Sequence, residues 1–294
     1  MANYLRLMRI RHYIKNLLVF LPIVFAGKLF DFYFLSRSLL GFATFSLLAS
    51  AVYIVNDICD LEYDRKHAVK KNRPLASGEI GVKNAAVLAA ALGFAAVAMN
   101  AAWNNSPFSW LFLIVYALIN SGYSFGLKNI PFVDISIIVA GFVLRVSYGG
   151  AIVGIAISSW LYLTVVATSF YLALGKRRNE IRKNSKTART VLKYYTEKFL
   201  DKMMYISLAL SIVFYSLWCI APGDSGNKSI YLIWTVPLVM LICKRYSVNI
   251  EGDSYADPAE VLLGDKVLIR LVLVYGFSLI LLIYNLKLLS TQGL

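Results

Sequence analysis

Apolar runs recur along the chain at close to the length that crosses a bilayer. A helix rises 1.5 Å per residue, so about 20 apolar residues span the ~30 Å hydrocarbon core. Nine such segments are predicted, at 16–33, 37–56, 84–103, 107–125, 132–154, 158–175, 203–221, 229–243 and 267–288. Lipid offers no partner to backbone N–H and C=O groups, so a spanning chain must satisfy them internally. The expectation is an all-α integral membrane protein, with residues 1–294 forming a single polytopic domain. Pro22, Pro237, Gly141, Gly149 and Gly150 lie in or beside these runs, where neighbouring helices can satisfy the freed backbone groups.

Composition agrees. The chain is 59% hydrophobic and 16% charged, against about 25% charged in a soluble domain. Its net charge of +14 follows membrane topology and not a nucleic-acid partner. With the N-terminus in the cytoplasm, 25 of the 30 Lys and Arg residues fall on that side and only Lys28, Arg37, Lys228 and Lys287 on the other. Arg145 falls inside the fifth segment. The asymmetry orients the chain in a cell membrane by the positive-inside rule. The arm MANYLRLMRIRHYIKN is basic and lacks a small-residue cleavage site, so the first segment is expected to be a retained anchor. Cys59, Cys219 and Cys243 are scattered, without metal-ligand spacing.

The second segment ends on NDICDLEYDRKHAVKKNRPLASG, residues 56–78. Asp57, Asp60 and Asp64 are spaced i, i+3, i+7, which on a helix sets three carboxylates along one face beside Asn56. Such carboxylates repel one another unless a cation lies between them. Mg²⁺ prefers hard oxygen ligands and shares them with phosphate groups. Arg65, Lys66, Lys70, Lys71 and Arg73 follow at once, suited to the remaining phosphate oxygens. The expected site is a cytoplasm-facing Mg²⁺–diphosphate site with Asn56, Asp57, Asp60 and Asp64 as ligands.

The motif NDxxDxxxDR resembles the first aspartate-rich motif of the UbiA-type intramembrane prenyltransferase superfamily. That resemblance implies a nine-transmembrane-helix bundle holding a Mg²⁺–diphosphate substrate in a cavity open to the membrane. RIRHYIKNLLVF (9–20), ASAVYIVNDICDLEYDR (49–65), KKNRPLASG (70–78), YSFGLKN (123–129), LRVSYGG (144–150), GKRRNEI (175–181) and GDKVL (264–268) are similar to the decaprenyl-phosphate phosphoribosyltransferase branch. The branch implies transfer of a 5-phosphoribosyl group from phosphoribosyl pyrophosphate to a polyprenyl phosphate, for lipid-linked arabinose donors of cell-wall synthesis. Aromatic prenyltransferases carry a second acidic cluster where this chain reads FYLALGKRRNE, residues 170–180. Lys176 and Arg177, with Arg178, suit a substrate bringing a further phosphate.

Other candidates carry a bland alternative. Lys15 either snorkels at the interface or contacts phosphate with Asn16. Arg73, beside Pro74, is preferred to Lys66 as a phosphate ligand. Tyr123 and Lys128 end the fourth segment, and Lys128 is the lone base of its loop. Asp134 either complements the dipole of the fifth helix or contacts ribose or metal. Intramembrane charge is costly, so Arg145 either pairs with an acid, Asp57 or Asp60 among them, or lines the cavity. Glu251, Asp253, Asp257, Glu260 and Asp265 read as a solvated loop, residues 176–202 as one or two amphipathic helices, and His12 and His67 show no ligand spacing. Two other functions are weighed: an aromatic or quinone prenyltransferase, opposed by the missing acidic cluster, and a transporter, opposed by the lack of internal repeats.

Overall fold

The computed structural model describes residues 2–66, 70–104, 106–182, 190–221, 230–251 and 258–290, and every regular element among them is helical. His67, Asp253 and Asp257 lie outside the described residues. Among the described residues six helices are long and apolar enough to cross a membrane. The chain divides into two compact units, one formed by Met1–Ile23, Leu29–Ala156 and Arg189–Val191, the other by Val24–Lys28, Ile157–Ala188 and Leu192–Leu294.

The chain opens with the short helix α1 (Ala2–Leu7), followed by a 3₁₀ helix over Ile10–Phe20 and by α2 (Leu21–Phe25). The predicted first segment, 16–33, is therefore not one helix. Its helical part begins six residues earlier and is wound in two ways. A 3₁₀ run of 11 residues is long for that geometry. It is held by close backbone approach to α7 (Val133–Val153): a Cβ on Gly149 would lie 2.2 Å from the Val19 carbonyl oxygen.

The long helix α3 (Phe32–Cys59) starts where the Asp31 carboxylate accepts the Tyr33 amide at 3.0 Å. That cap sets its start five residues before the predicted boundary at 37. It ends at Cys59. Asp60 (φ −91°, ψ 5°) breaks the helix, and α4 (Leu61–Lys66) carries Asp64. The expected single helical face for three aspartates is thus corrected: they belong to two helices with a cap residue between them.

Next comes α5 (Val82–Trp103), which buries Ala85, Ala89, Leu92, Ala96 and Asn100 on one face. Small residues at this spacing let two helices approach closely in a membrane, and α5 packs along α3. Leu7, Ala51, Ile54, Leu75, Ile80 and Ala85 form a core beneath the acidic end of α3. Helix α6 (Pro107–Ser124) joins a second core of Val19, Phe45, Leu113, Tyr116, Leu144 and Tyr148.

In the other unit α8 (Ser159–Arg182) packs along α9 (Glu197–Ile220). Then follow a 3₁₀ turn at Ile230–Thr235, α10 (Val236–Glu251), α11 (Pro258–Gly264) and α12 (Lys266–Ser290). The charged ends of α8 and α9 extend well past the predicted limits 175 and 203. Hydropathy marks only the apolar part of a helix, whereas the backbone ladder continues into polar sequence. Within 176–202 the described residues form the end of α8, a 3₁₀ turn at Thr190–Tyr194 and the start of α9, and the rest of the expected amphipathic stretch, 183–189, lies outside the described residues.

Candidate active site

Charged side chains meet where α3 gives way to α4. Asp57 is 3% exposed and Asp64 1%. A single nitrogen of Arg73, Nη1, donates to Asp57 Oδ1 at 3.0 Å and to Asp64 Oδ2 at 2.6 Å. Lys70 lies 3.8 Å from Asp64 Oδ1, an oxygen that is buried and accepts no hydrogen bond. Asp57 receives a second guanidinium, from Arg9. Asp60 turns elsewhere: it binds Lys128, and its other oxygen accepts from Asn56 at 3.3 Å. Ser124, the last residue of α6, donates to the Asn56 amide oxygen at 3.0 Å. Two polar clusters result at this helix end: Asp57 and Asp64 with Arg73, Arg9 and Lys70, and Asp60 with Asn56, Lys128 and, through Asn56, Ser124.

Among the described residues no three acid, His or Cys side chains converge on one point. The donor chemistry nonetheless fits a hard divalent cation. Asp57 and Asp64 already converge on one cationic nitrogen, and Asp64 keeps a buried oxygen without a hydrogen bond. Each carboxylate is balanced by a base, so this end of α3 supplies acids and bases together.

The loop between α6 and α7 presents Lys128 on a 3₁₀ turn, Leu127–Asn129. The turn is reached through Gly126 at φ 138°, a value open to glycine. Tyr123 is half-buried at the end of α6, and Asp134 is fully buried in the first turn of α7. Lys15 is half-buried in the 3₁₀ helix.

Asn16 and Arg145 lie apart from the aspartates. Arg145 is 5% exposed. Its Nε donates to Asn16 Oδ1 at 2.8 Å, its Nη2 to the Tyr116 hydroxyl at 3.2 Å and its Nη1 to the Gly141 carbonyl. The guanidinium also sits 5.0 Å from the Phe45 ring and 5.1 Å from that of Tyr116. Its partners among the described residues are all neutral, so of the two alternatives for Arg145 the pairing with an acid such as Asp57 or Asp60 does not occur. Asn16 donates in turn to Ser46 at 2.9 Å. Ser46 precedes Asp57 by eleven positions on α3, roughly 16 Å along its axis. Both side chains tie the 3₁₀ helix, α3, α6 and α7 together inside the unit.

In the other unit Arg177 is fully buried and donates to Glu180 at 2.7 Å. Arg178 binds Asp201 at 2.8 Å and lies 3.7 Å from Glu197. Lys176 is half-buried next to them. The basic triplet is therefore partly neutralised by acids that precede or open α9. Asp265, expected in a solvated loop, instead caps α12: its carboxylate accepts the Val267 and Leu268 amides at 2.8 and 3.2 Å, and Arg245 Nε and Asn249 Nδ2 at 2.6 Å each.

Arg9 is the site residue that sequence reasoning missed. It is one of four bases in an arm whose charge topology alone explains, and its aim depends on a backbone turn with no sequence signature.

A polytopic helical bundle with a buried, base-balanced aspartate motif at a helix end defines an intramembrane transferase of the aspartate-motif kind. The chain belongs to the UbiA prenyltransferase family, whose profile matches residues 17–264. It is 31% identical to decaprenyl-phosphate phosphoribosyltransferase of Mycobacterium tuberculosis, over 93% of this chain and 92% of that one. Its likeness to the Corynebacterium glutamicum protein of the same name is also 31%, over 95% and 86% of the two chains. Among solved structures it matches a UbiA homolog from Archaeoglobus fulgidus bound to DMAPP and Mg²⁺, with TM-score 0.68, 20% identity, and 95% and 99% of the chains covered.

Proposed function

We propose that the protein is a Mg²⁺-dependent polyprenyl-phosphate phosphoribosyltransferase. It moves a 5-phosphoribosyl group from phosphoribosyl pyrophosphate to a polyprenyl phosphate and releases pyrophosphate. The product serves as a precursor of lipid-linked arabinose donors for the cell wall. The chain acts as one domain over 1–294 that crosses the cell membrane nine times, with the N-terminus and the site facing the cytoplasm. The observation that carries this reading is the likeness, along more than nine-tenths of the chain, to enzymes named for that reaction. Lys176, Arg177 and Arg178, where a second acidic cluster would serve a prenyl diphosphate, support it.

The chain's own residues divide the work. Asp57 and Asp64, with Asp60 and Asn56, would hold Mg²⁺, which would supply Lewis-acid neutralisation of the departing diphosphate. Arg73 and Lys128 are presented on short, constrained turns and take phosphate oxygens. Their charge is in place before the reaction, so stabilising the leaving group needs little reorganisation. The acceptor phosphate is already ionised at neutral pH and attacks an anomeric carbon of oxocarbenium character. No strong general base is needed, and positioning carries much of the rate. Lys15, Tyr123 and Asp134 complete the donor pocket.

The test supplies detergent-purified protein with Mg²⁺, a polyprenyl phosphate and phosphoribosyl pyrophosphate, and weighs the lipid extract by mass spectrometry. A phosphoribosyl adduct that disappears on chelation is expected. A prenylated aromatic formed from prenyl diphosphate and 4-hydroxybenzoate, with no phosphoribosyl adduct, would overturn the reading.

A further inference from the structure

Arg9 stands at a turn whose cost its own packing does not explain. It joins α1 to the 3₁₀ helix with φ 55° and ψ 47°, a left-handed conformation uncommon in residues other than Gly, Asn and Asp. Strain of this kind persists where the surroundings enforce it, and it clusters at functional sites. Here the enforcing groups lie along one face of α3. Ser50 donates to the Met8 carbonyl at 2.9 Å and pairs with the Tyr13 hydroxyl at 2.8 Å. One turn on, the Tyr53 ring lies 5.1 Å from the Arg9 guanidinium. A further turn on, Asp57 accepts from Arg9 Nη2. Ser50 fixes the backbone, Tyr53 supports the plane of charge, and Asp57 receives its end.

The pair so formed is mostly buried, with side-chain exposures of 19% for Arg9 and 4% for Asp57. A buried ion pair is weak grounds for stability, because desolvation offsets the Coulomb attraction. A strained turn that aims an arginine at a carboxylate is thus doubly unfavourable unless the arginine has another task. Arg73, shared by Asp57 and Asp64, and Lys70 beside Asp64 already balance the two carboxylates, so Arg9 brings a charge beyond neutrality.

We propose that Arg9 is a donor-binding residue that exchanges Asp57 for the diphosphate of the donor. A divalent cation and Arg9 are alternative partners of that carboxylate. When the cation takes Asp57, the freed guanidinium, still held by the turn and by Tyr53, faces the diphosphate and binds its oxygens. Arg73 keeps Asp64 throughout. The proposal rests on the Mg²⁺–diphosphate reading above and adds to it a coupling: the metal loads more readily when Arg9 has phosphate to receive it.

The test is calorimetry on the full chain in detergent, with Mn²⁺ alone and then inorganic pyrophosphate in the presence of Mg²⁺. Arg9→Asn deletes the charge while keeping a residue that tolerates the left-handed turn, and Arg9→Lys keeps the charge. The expected result has opposite signs. Arg9→Asn binds Mn²⁺ as tightly as wild type or severalfold tighter, and binds pyrophosphate about tenfold more weakly. Arg9→Lys restores part of the pyrophosphate affinity. Loss of Mn²⁺ and pyrophosphate binding together, which a purely structural pair predicts, overturns the proposal, as does unchanged pyrophosphate affinity. A wild-type protein that binds neither probe removes the Mg²⁺–diphosphate reading itself, and the exchange with it.

Discussion

Asn16→Leu separates two roles for a residue that the sequence places near phosphate and the structure places in a buried hub. Asn16 is 1% exposed and makes two hydrogen bonds, accepting from Arg145 at 2.8 Å and donating to Ser46 at 2.9 Å. Leucine has the same branching and the same number of side-chain heavy atoms and is the bulkier of the two, so the loss is polar and not a cavity. Neutral interhelical hydrogen bonds in membranes average about 0.6 kcal/mol, which is the share of Ser46. A bond from a charged donor contributes about 1.5–3 kcal/mol, and its buried donor is then left without an acceptor. The Arg145 bond therefore dominates, and the total is about 2–4 kcal/mol. At about 2–4 °C per kcal/mol for a large domain, Tm in detergent should fall by roughly 5–15 °C. Asn16→Asp, which retains the acceptor, should keep Tm near the wild-type value. The assay is thermal unfolding followed by tryptophan fluorescence, run beside a titration with phosphoribosyl pyrophosphate. An unchanged Tm for Asn16→Leu with greatly weakened donor binding would refute the structural role and return Asn16 to the phosphates.

Asp57→Asn is expected to abolish transfer while the protein stays folded in membranes, since it removes a carboxylate of the proposed metal set; retained turnover in the lipid-extract assay removes Asp57 from that set. Gly149→Ala places a methyl group 2.2 Å from the Val19 carbonyl oxygen, a backbone atom that cannot rotate away; the expected outcome is loss of folded protein on size exclusion, and a normal yield contradicts the packing of the 3₁₀ helix on α7. Hydrogen bonds from Arg245 and then Asn249, with help from the Leu268 and Val267 amides, hold the Asp265 carboxyl well below the usual carboxylate range against an opposing burial effect. A depressed folded value stabilises above the unfolded pKa of about 4. This contribution is therefore complete at neutral pH and is lost as acid protonates the group. Asp265→Asn should accordingly lower stability at pH 7 and flatten its decline below pH ~4 in acid-unfolding curves; an unaltered curve denies the cap that role.

The apolar runs alone determined the class of fold. Hydropathy and helical rise are local and additive, so spans such as 84–103 and 132–154 differ from the observed Val82–Trp103 and Val133–Val153 by one or two residues. The aspartate motif was equally legible, because three aspartates and five bases in one short stretch have few physical explanations. Tertiary structure alone decided how those charges are partnered. Asp60 leaves Asp57 and Asp64 because α3 ends at Cys59. Arg9 reaches Asp57 through a left-handed turn. Asn16 and Arg145, 129 residues apart, meet in the core although each looked like a substrate contact. Long charged side chains choose partners in space, across elements and over several ångströms of reach. Their roles therefore depend on helix ends and turns that hydropathy does not encode.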